Sequence, residues 1–117
     1  MLMDEQDFAV ERVSAPDMTT VTVRGDVDLT TVAQLSQELH AAAEQKRDVV
    51  IDLAGVTFID STGVRVLVEA YRTARQHGLS LSVRGARHWV ARVLEVTGVA
   101  TMLSMPARDA SQPRPAS

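Results

Sequence analysis

The stretch Val49-Val50-Ile51 constrains the fold more than any other part of the chain. It is too short for a helix, it is apolar on both faces, and segments with helical spacing lie on either side of it. Such a run predicts a central strand buried on both faces, and strands of that kind pair in parallel. A parallel neighbour requires a long crossover, usually a helix, so the rest of the chain has to supply strand–helix–strand units.

The flanking patterns do so. Phe8–Val13 carries a weak strand signal, and Ala15-Pro16-Asp17 is a turn. Thr20–Arg24 alternates, with Val21 and Val23 on one face and Thr20, Thr22 and Arg24 on the other. The two runs predict a hairpin whose second strand stops at Gly25. Thr31 reads as a helix N-cap with Gln34 completing a capping box, and Val32, Leu35, Leu39, Ala42 and Ala43 continue at helical spacing to about Lys46. Beyond the central run, the apolar strand segment Val56–Ile59 gives way to a helix at Asp60. That helix has Val64, Leu67, Val68, Tyr71 and Ala74 on one face and stops at Gly78. Leu79, Leu81 and Val83 alternate as a strand, and Gly85 opens a turn. Val90, Val93 and Leu94 mark a third helix ended by Gly98, and Met102-Leu103 is expected to form a last short strand. The order β-β-α-β-α-β-α predicts a single α/β domain over residues 1–105, with a mixed, mostly parallel sheet of four to five strands and an N-terminal hairpin. Residues 106–117, rich in Pro, Ser and Ala, are expected to be a disordered tail.

Composition removes several classes of function. Phe8, Phe58, Tyr71 and Trp89 are the whole aromatic complement, so no stacking platform for single strands is available. With 12 basic and 15 acidic residues the net charge is −3, which gives no phosphate-backbone footprint and no expectation of direct nucleic-acid binding. The chain has no cysteine, hence no disulfide, thiolate chemistry or Cys-based metal site. Met1–Gln6 is acidic and lacks an apolar core, and no aliphatic run is longer than the three residues of Val49–Ile51. Neither a leader nor a membrane span is expected, and the expected location is cytoplasmic.

Enzyme signatures are missing too. There is no phosphate loop, no dinucleotide fingerprint and no nucleophile elbow around Ser61, and His40, His77 and His88 show no metal spacing. Asp26, Asp28, Asp52 and Asp60 fall near strand ends, where α/β proteins place their sites. They could hold Mg²⁺ in a phospho-aspartate receiver, but that chemistry needs a lysine after a late strand. The only lysine, Lys46, precedes the central one. Turn and cap duty is the plainer reading of these acids. No metal and no cofactor are expected.

The sharpest feature is Asp60-Ser61-Thr62-Gly63, where a strand segment meets a helix. Taken alone it is an ordinary helix start. It also places two hydroxyls at a helix N-terminus, where a phosphoryl group on Ser61 is tolerated and adds roughly −1.5 to −2 charges beside Asp60.

Its surroundings add a family resemblance. Gly25-Asp26-Val27-Asp28, a helix, Val49-Val50-Ile51-Asp52-Leu53 and then Val56-Thr57-Phe58-Ile59-Asp60-Ser61-Thr62-Gly63 together resemble the STAS domain, in particular the stand-alone anti-sigma factor antagonists of bacteria. The likeness runs from about Phe8 to Met105. It implies helices packed on one side of the sheet, and a regulatory binding protein rather than an enzyme. It implies that Ser61 is a phosphoacceptor, with Thr62 a lesser one. The partner surface it implies comprises Asp28, Asp60, Thr62, Gly63 and Val64, and the neighbouring Asp26 and Arg65 are expected to belong to it. It further implies partner switching in transcription regulation. The unphosphorylated form binds an anti-sigma factor of serine-kinase type and releases the sigma factor, phosphorylation blocks binding, and a serine phosphatase reverses it. The expected state is a monomer or weak dimer. The alternative is a STAS subunit docked constitutively in a transport or stress-sensing complex. Two positions depart from the family pattern: Asp26 replaces the commoner Glu, and Arg65 stands where a small residue is frequent.

Overall fold

A computed structural model describes residues 8–103. The expected tail at 106–117 and the segment Met1–Gln6 lie outside the described residues. The chain forms β1 (Ala9–Ser14), β2 (Met18–Val27), α1 (Val32–Glu44), β3 (Asp48–Ile59), α2 (Ser61–Gln76), β4 (Leu81–Arg84), α3 (His88–Val96) and α4 (Val99–Met102). The strands make one sheet in the order β1-β2-β3-β4. β1 and β2 are the predicted antiparallel hairpin, closed by a bond from the Ala15 N–H to the Met18 carbonyl. β3 is parallel to both of its neighbours.

Alternation along the strands decides where the core lies. Val21, Val23 and Val27 of β2, Val49, Ile51, Leu53, Val56 and Ile59 of β3, and Leu81 and Val83 of β4 are all buried. They meet Leu35, Leu39 and Ala42 of α1, Leu67 and Ala74 of α2, and Val90 and Leu94 of α3 in one cluster. The helices therefore share one face of the sheet. The opposite face carries Thr20, Thr22, Val50, Asp52 and Ser82, all half-buried. Val50 thus corrects the expectation of a strand covered on both sides: β3 is central and parallel, but among the described residues no helix lies over its second face.

Four further expectations are corrected. β2 does not stop at Gly25 but continues to Val27. Gly25 adopts φ 94°, which only glycine takes freely, and so carries the strand through a local shift in pairing. The two apolar segments around Ala54-Gly55 are one strand, because β3 accommodates two extra residues as bulges while β2 stays paired. Thr31 is at the N-cap of α1, yet its side chain makes no cap bond and the box with Gln34 does not form. Met102-Leu103 is not a strand. After Gly98 the chain turns into the short helix α4, which places the i, i+4 pair Val99 and Leu103 in the core. Two apolar residues in a row are too few to distinguish period 2 from period 3.6.

Candidate functional site

Parallel pairing brings the ends of β2 and β3 to the same edge of the sheet. Val27 is paired with Ile59, and the Asp60 N–H donates to the Val27 carbonyl at 3.1 Å. Asp28 and Asp60 therefore begin two adjacent turns, and the turns are built alike. Asp28 Oδ1 accepts from the Thr30 N–H at 3.0 Å and from the Thr30 hydroxyl at 2.7 Å. Asp60 Oδ1 accepts from the Thr62 N–H at 2.9 Å, from the Gly63 N–H at 3.2 Å and from the Thr62 hydroxyl. Each is an Asp-x-Thr turn, and each presents its middle residue outward: Leu29 is 74% exposed, and Ser61 is exposed as the first residue of α2.

The hydroxyls set the charge state of both acids. Asp28 is held below the ordinary carboxylate range, first by the Thr30 hydroxyl and then by the Thr30 N–H. Asp60 is lowered first by the Thr62 hydroxyl and also by the Gly63 and Thr62 N–H groups, while the negative charge of Asp28 pushes it the other way. That effect of Asp28 on Asp60 marks the two acids as electrostatic neighbours. Because the folded state lowers the Asp60 pKa, its contribution to stability is present above the ordinary value of 3.8 and is lost as pH falls from there through the folded value. Urea unfolding from about pH 6 down to about pH 3 is expected to show this loss of stability. Asp60→Ala is expected to cost about 1 kcal/mol at neutral pH and to flatten that part of the profile. An unchanged profile in the variant would show that Asp60 is not the titrating cap.

The remaining sequence-predicted residues lie around this pair. Asp26 is exposed and accepts a 2.7 Å bond from the Thr57 hydroxyl. The Thr31 hydroxyl accepts from the Asp28 N–H at 3.0 Å and donates to the Asp26 carbonyl at 2.8 Å, tying the β2 end to the start of α1. Thr62 is half-buried and committed to Asp60. Gly63 is buried: a Cβ there would fall 2.6 Å from Val27 Cγ1 and 2.7 Å from Ile59 Cγ1, so its bare backbone lets α2 start close against both strands. Val64 packs half-buried against the core. Arg65 reaches outward to Glu69 at 3.4 Å. Asp52 is not brought to the group; it faces Arg84 at 3.4 Å, lower on β3. Among the described residues no three acidic or histidine side chains are arranged to hold a metal ion. His40 and His77 each engage a backbone oxygen of their own helix, Ser36 and Thr73 respectively.

Sequence reasoning did not single out Thr30 and Thr57, whose hydroxyls bond the carboxylates of Asp28 and Asp26, and it read Thr31 only as a helix cap. The signal for Thr30 was present as a second Asp-x-Thr unit identical in type to Asp60-Ser61-Thr62. Nothing local pointed to Thr57, which reaches Asp26 only through strand pairing. Asp26, Asp28, Thr30, Thr31 and Thr57 also line a cleft of about 540 Å³ next to Phe8 and Arg24.

A four-stranded mixed sheet with its helices on one face, and two capped turns presenting an exposed serine beside paired carboxylates, define a STAS-type domain. The family model described as "Mlab, STAS domain" matches residues 10–104, and the chain belongs to the STAS domain family. Its sequence is 28% identical over 89 residues to the anti-sigma-B factor antagonist of Bacillus subtilis (strain 168), covering 76% of this chain and 82% of that protein. Its fold is similar to the crystal structure of an anti-sigma factor antagonist from Mycobacterium paratuberculosis, with a TM-score of 0.78, 22% identity and 90% of each chain covered. It is also similar to the phosphorylated form of the Bacillus cell fate determinant SpoIIAA, with a TM-score of 0.65, 15% identity, and 90% of this chain and 96% of that one covered. No helix among the described residues is long and apolar enough to cross a membrane.

Proposed function

We propose that this protein is an anti-sigma factor antagonist whose binding to an anti-sigma factor of serine-kinase type is switched by phosphorylation of Ser61. The observation that carries this reading is the exposed Ser61 hydroxyl, which makes no hydrogen bond among the described residues, at a rigidly capped helix start beside two carboxylates. The relatives named anti-sigma-B factor antagonists supply the class of partner. Thr62 is the poorer acceptor because its hydroxyl is already given to Asp60.

In the proposed reaction the Ser61 Oγ attacks the γ-phosphorus of ATP bound to the kinase. ADP leaves, and the hydroxyl proton passes to a base of the kinase. A serine phosphatase returns the hydroxyl with water, releasing inorganic phosphate. The protein itself contributes position: the helix start holds the hydroxyl outward, and no rearrangement of the chain is needed to expose it. Asp26, Asp28, Asp60 and Arg65 form the charged part of the docking surface, while Gly63 and Val64 set the height at which that surface stands above the sheet.

The test is a pull-down with unphosphorylated protein, followed by incubation of the captured kinase and ATP with the wild type and with Ser61→Ala. Phosphate is expected on Ser61 alone, and the variant is expected to remain unmodified. Ser61→Ala serving as a full substrate would sink the proposal. A second reading, constitutive docking of the same surface in a larger assembly, is favoured by one fact: the Asp60 cap is complete without any phosphate. Capture of transport subunits in place of a kinase would support it.

A further inference from the structure

Resting on the reading of Ser61 as the phosphoacceptor, we infer that Arg65 is the positioning residue for the phosphoryl group, leaving Glu69 to clamp it. Four observations lead there. The usual partners of an anion at a helix start are the free N–H groups of the first turn, but here Asp60 Oδ1 already takes those of Thr62 and Gly63, and the Val64 N–H goes to the Asp60 carbonyl. Among the described residues only the Ser61 N–H of that turn is left, and one N–H leaves most of the charge of a phosphoryl group there uncompensated. Arg65 stands four residues on, one turn along α2, a spacing at which the side chains of 61 and 65 are neighbours on the helix surface, so Arg65 can swing there from Glu69.

The existing partner of Arg65 is weak. Its guanidinium meets Glu69 at 3.4 Å, with side chains 80% and 55% exposed. That pair also runs in the less favourable order, cation before anion along the helix, whereas phosphoserine 61 with Arg65 runs in the favourable one. Finally, the elements meeting at Ser61 contribute Asp26, Asp28, Asp60 and Glu69 as negative groups, with Arg24 of β2 beside the Asp26–Asp28 cleft and Arg65 as the cation one turn along α2. Arg65, a cation near the positive end of α2, gains a purpose once Ser61 carries about two negative charges. Its clamp fixes the phosphate over the start of α2, where an incoming partner would meet it.

The experiment uses the full chain with phosphoserine installed at position 61 during synthesis, so that no kinase or partner is needed. Phosphorus NMR follows the second ionisation of the phosphate in this protein and in Arg65→Gln, Arg65→Lys and Glu69→Gln backgrounds. Arg65→Gln is expected to raise that ionisation by about half a pH unit, and Arg65→Lys to restore most of the difference. Glu69→Gln is expected to leave it in place or lower it further. In the parent protein the Arg65 Nε–H signal is expected to move in step with the phosphate. Identical titrations in parent and Arg65→Gln, with a stationary Nε–H signal, would overturn the clamp even where phosphorylation still abolishes partner binding. A clamp that titrates as expected in a protein whose partner binding ignores phosphate would leave this inference standing and refute the switch.

Discussion

Ser61→Glu is expected to weaken binding to the captured anti-sigma factor by at least about 100-fold, while Ser61→Ala stays within about threefold of the parent. The reason is local charge. Asp28 and Asp60 are held ionised by threonine hydroxyls at the ends of two adjacent strands. A partner fitted to that surface matches its present charge and height, and one further charged side chain at its centre, on a helix start that cannot move aside, is left buried and unpaired at a cost of several kcal/mol. Ser61→Ala removes a hydroxyl that bonds nothing in the free protein, so it leaves no orphaned partner. Isothermal calorimetry on the three proteins decides the matter. Equal affinities would remove the electrostatic switch. An equal loss in Ser61→Ala and Ser61→Glu would mean that the hydroxyl itself is a contact and that the charge argument is wrong. High salt is expected to narrow the gap, because the patch is exposed and screening reaches it.

Gly63→Ala is expected to destabilise the fold by about 1 to 3 kcal/mol, although alanine is the better helix former by about 1 kcal/mol. The added methyl would fall 2.6 Å from Val27 Cγ1 and 2.7 Å from Ile59 Cγ1, inside the contact distance of any carbon pair. Val27 and Ile59 are themselves fully packed and paired with each other across β2 and β3, so neither can retreat without moving a strand end. The helix start has to lift, carrying Asp60 and Ser61 with it. The urea midpoint reports the stability. A parallel measurement of partner affinity is expected to fall as well, since the two Asp-x-Thr turns would no longer sit at one height. A variant as stable as the parent would mean that the gap between α2 and the sheet is wider than the packing indicates.

How much of this was readable beforehand differs from element to element. The helix face Val64, Leu67, Val68, Tyr71 and Ala74 and the hairpin alternation at Val21 and Val23 are strong periodic signals, and both elements formed, although β2 runs past its expected stop at Gly25. Gly25 and Gly55 look like strand breaks in a linear reading, yet both sit inside strands, because bulges let a parallel pair absorb extra residues. The capping box at Thr31 failed for a related reason: the strand end next to it offered the Asp26 carbonyl and the Asp28 N–H, and the hydroxyl bonded those instead. Within the site, Asp60 capping α2 follows from four consecutive residues. The Asp28–Asp60 neighbourhood does not, since it depends on which strands pair and in what register, and a register is set by long-range packing.

The bond from the Asp60 N–H to the Val27 carbonyl fixes more than a position. It makes the serine's platform continuous with the centre of the sheet, so adding or removing a phosphoryl group there has no hinge to work against and no refolding to await. A signal kept in this way is stored as chemistry rather than as shape. Uncatalysed phosphate-ester hydrolysis is among the slowest reactions known, so such a mark does not fade through thermal motion of the chain. Under the proposed switch, the duration of a transcriptional response belongs to the enzymes that write and erase the mark, and this domain acts as the record between them.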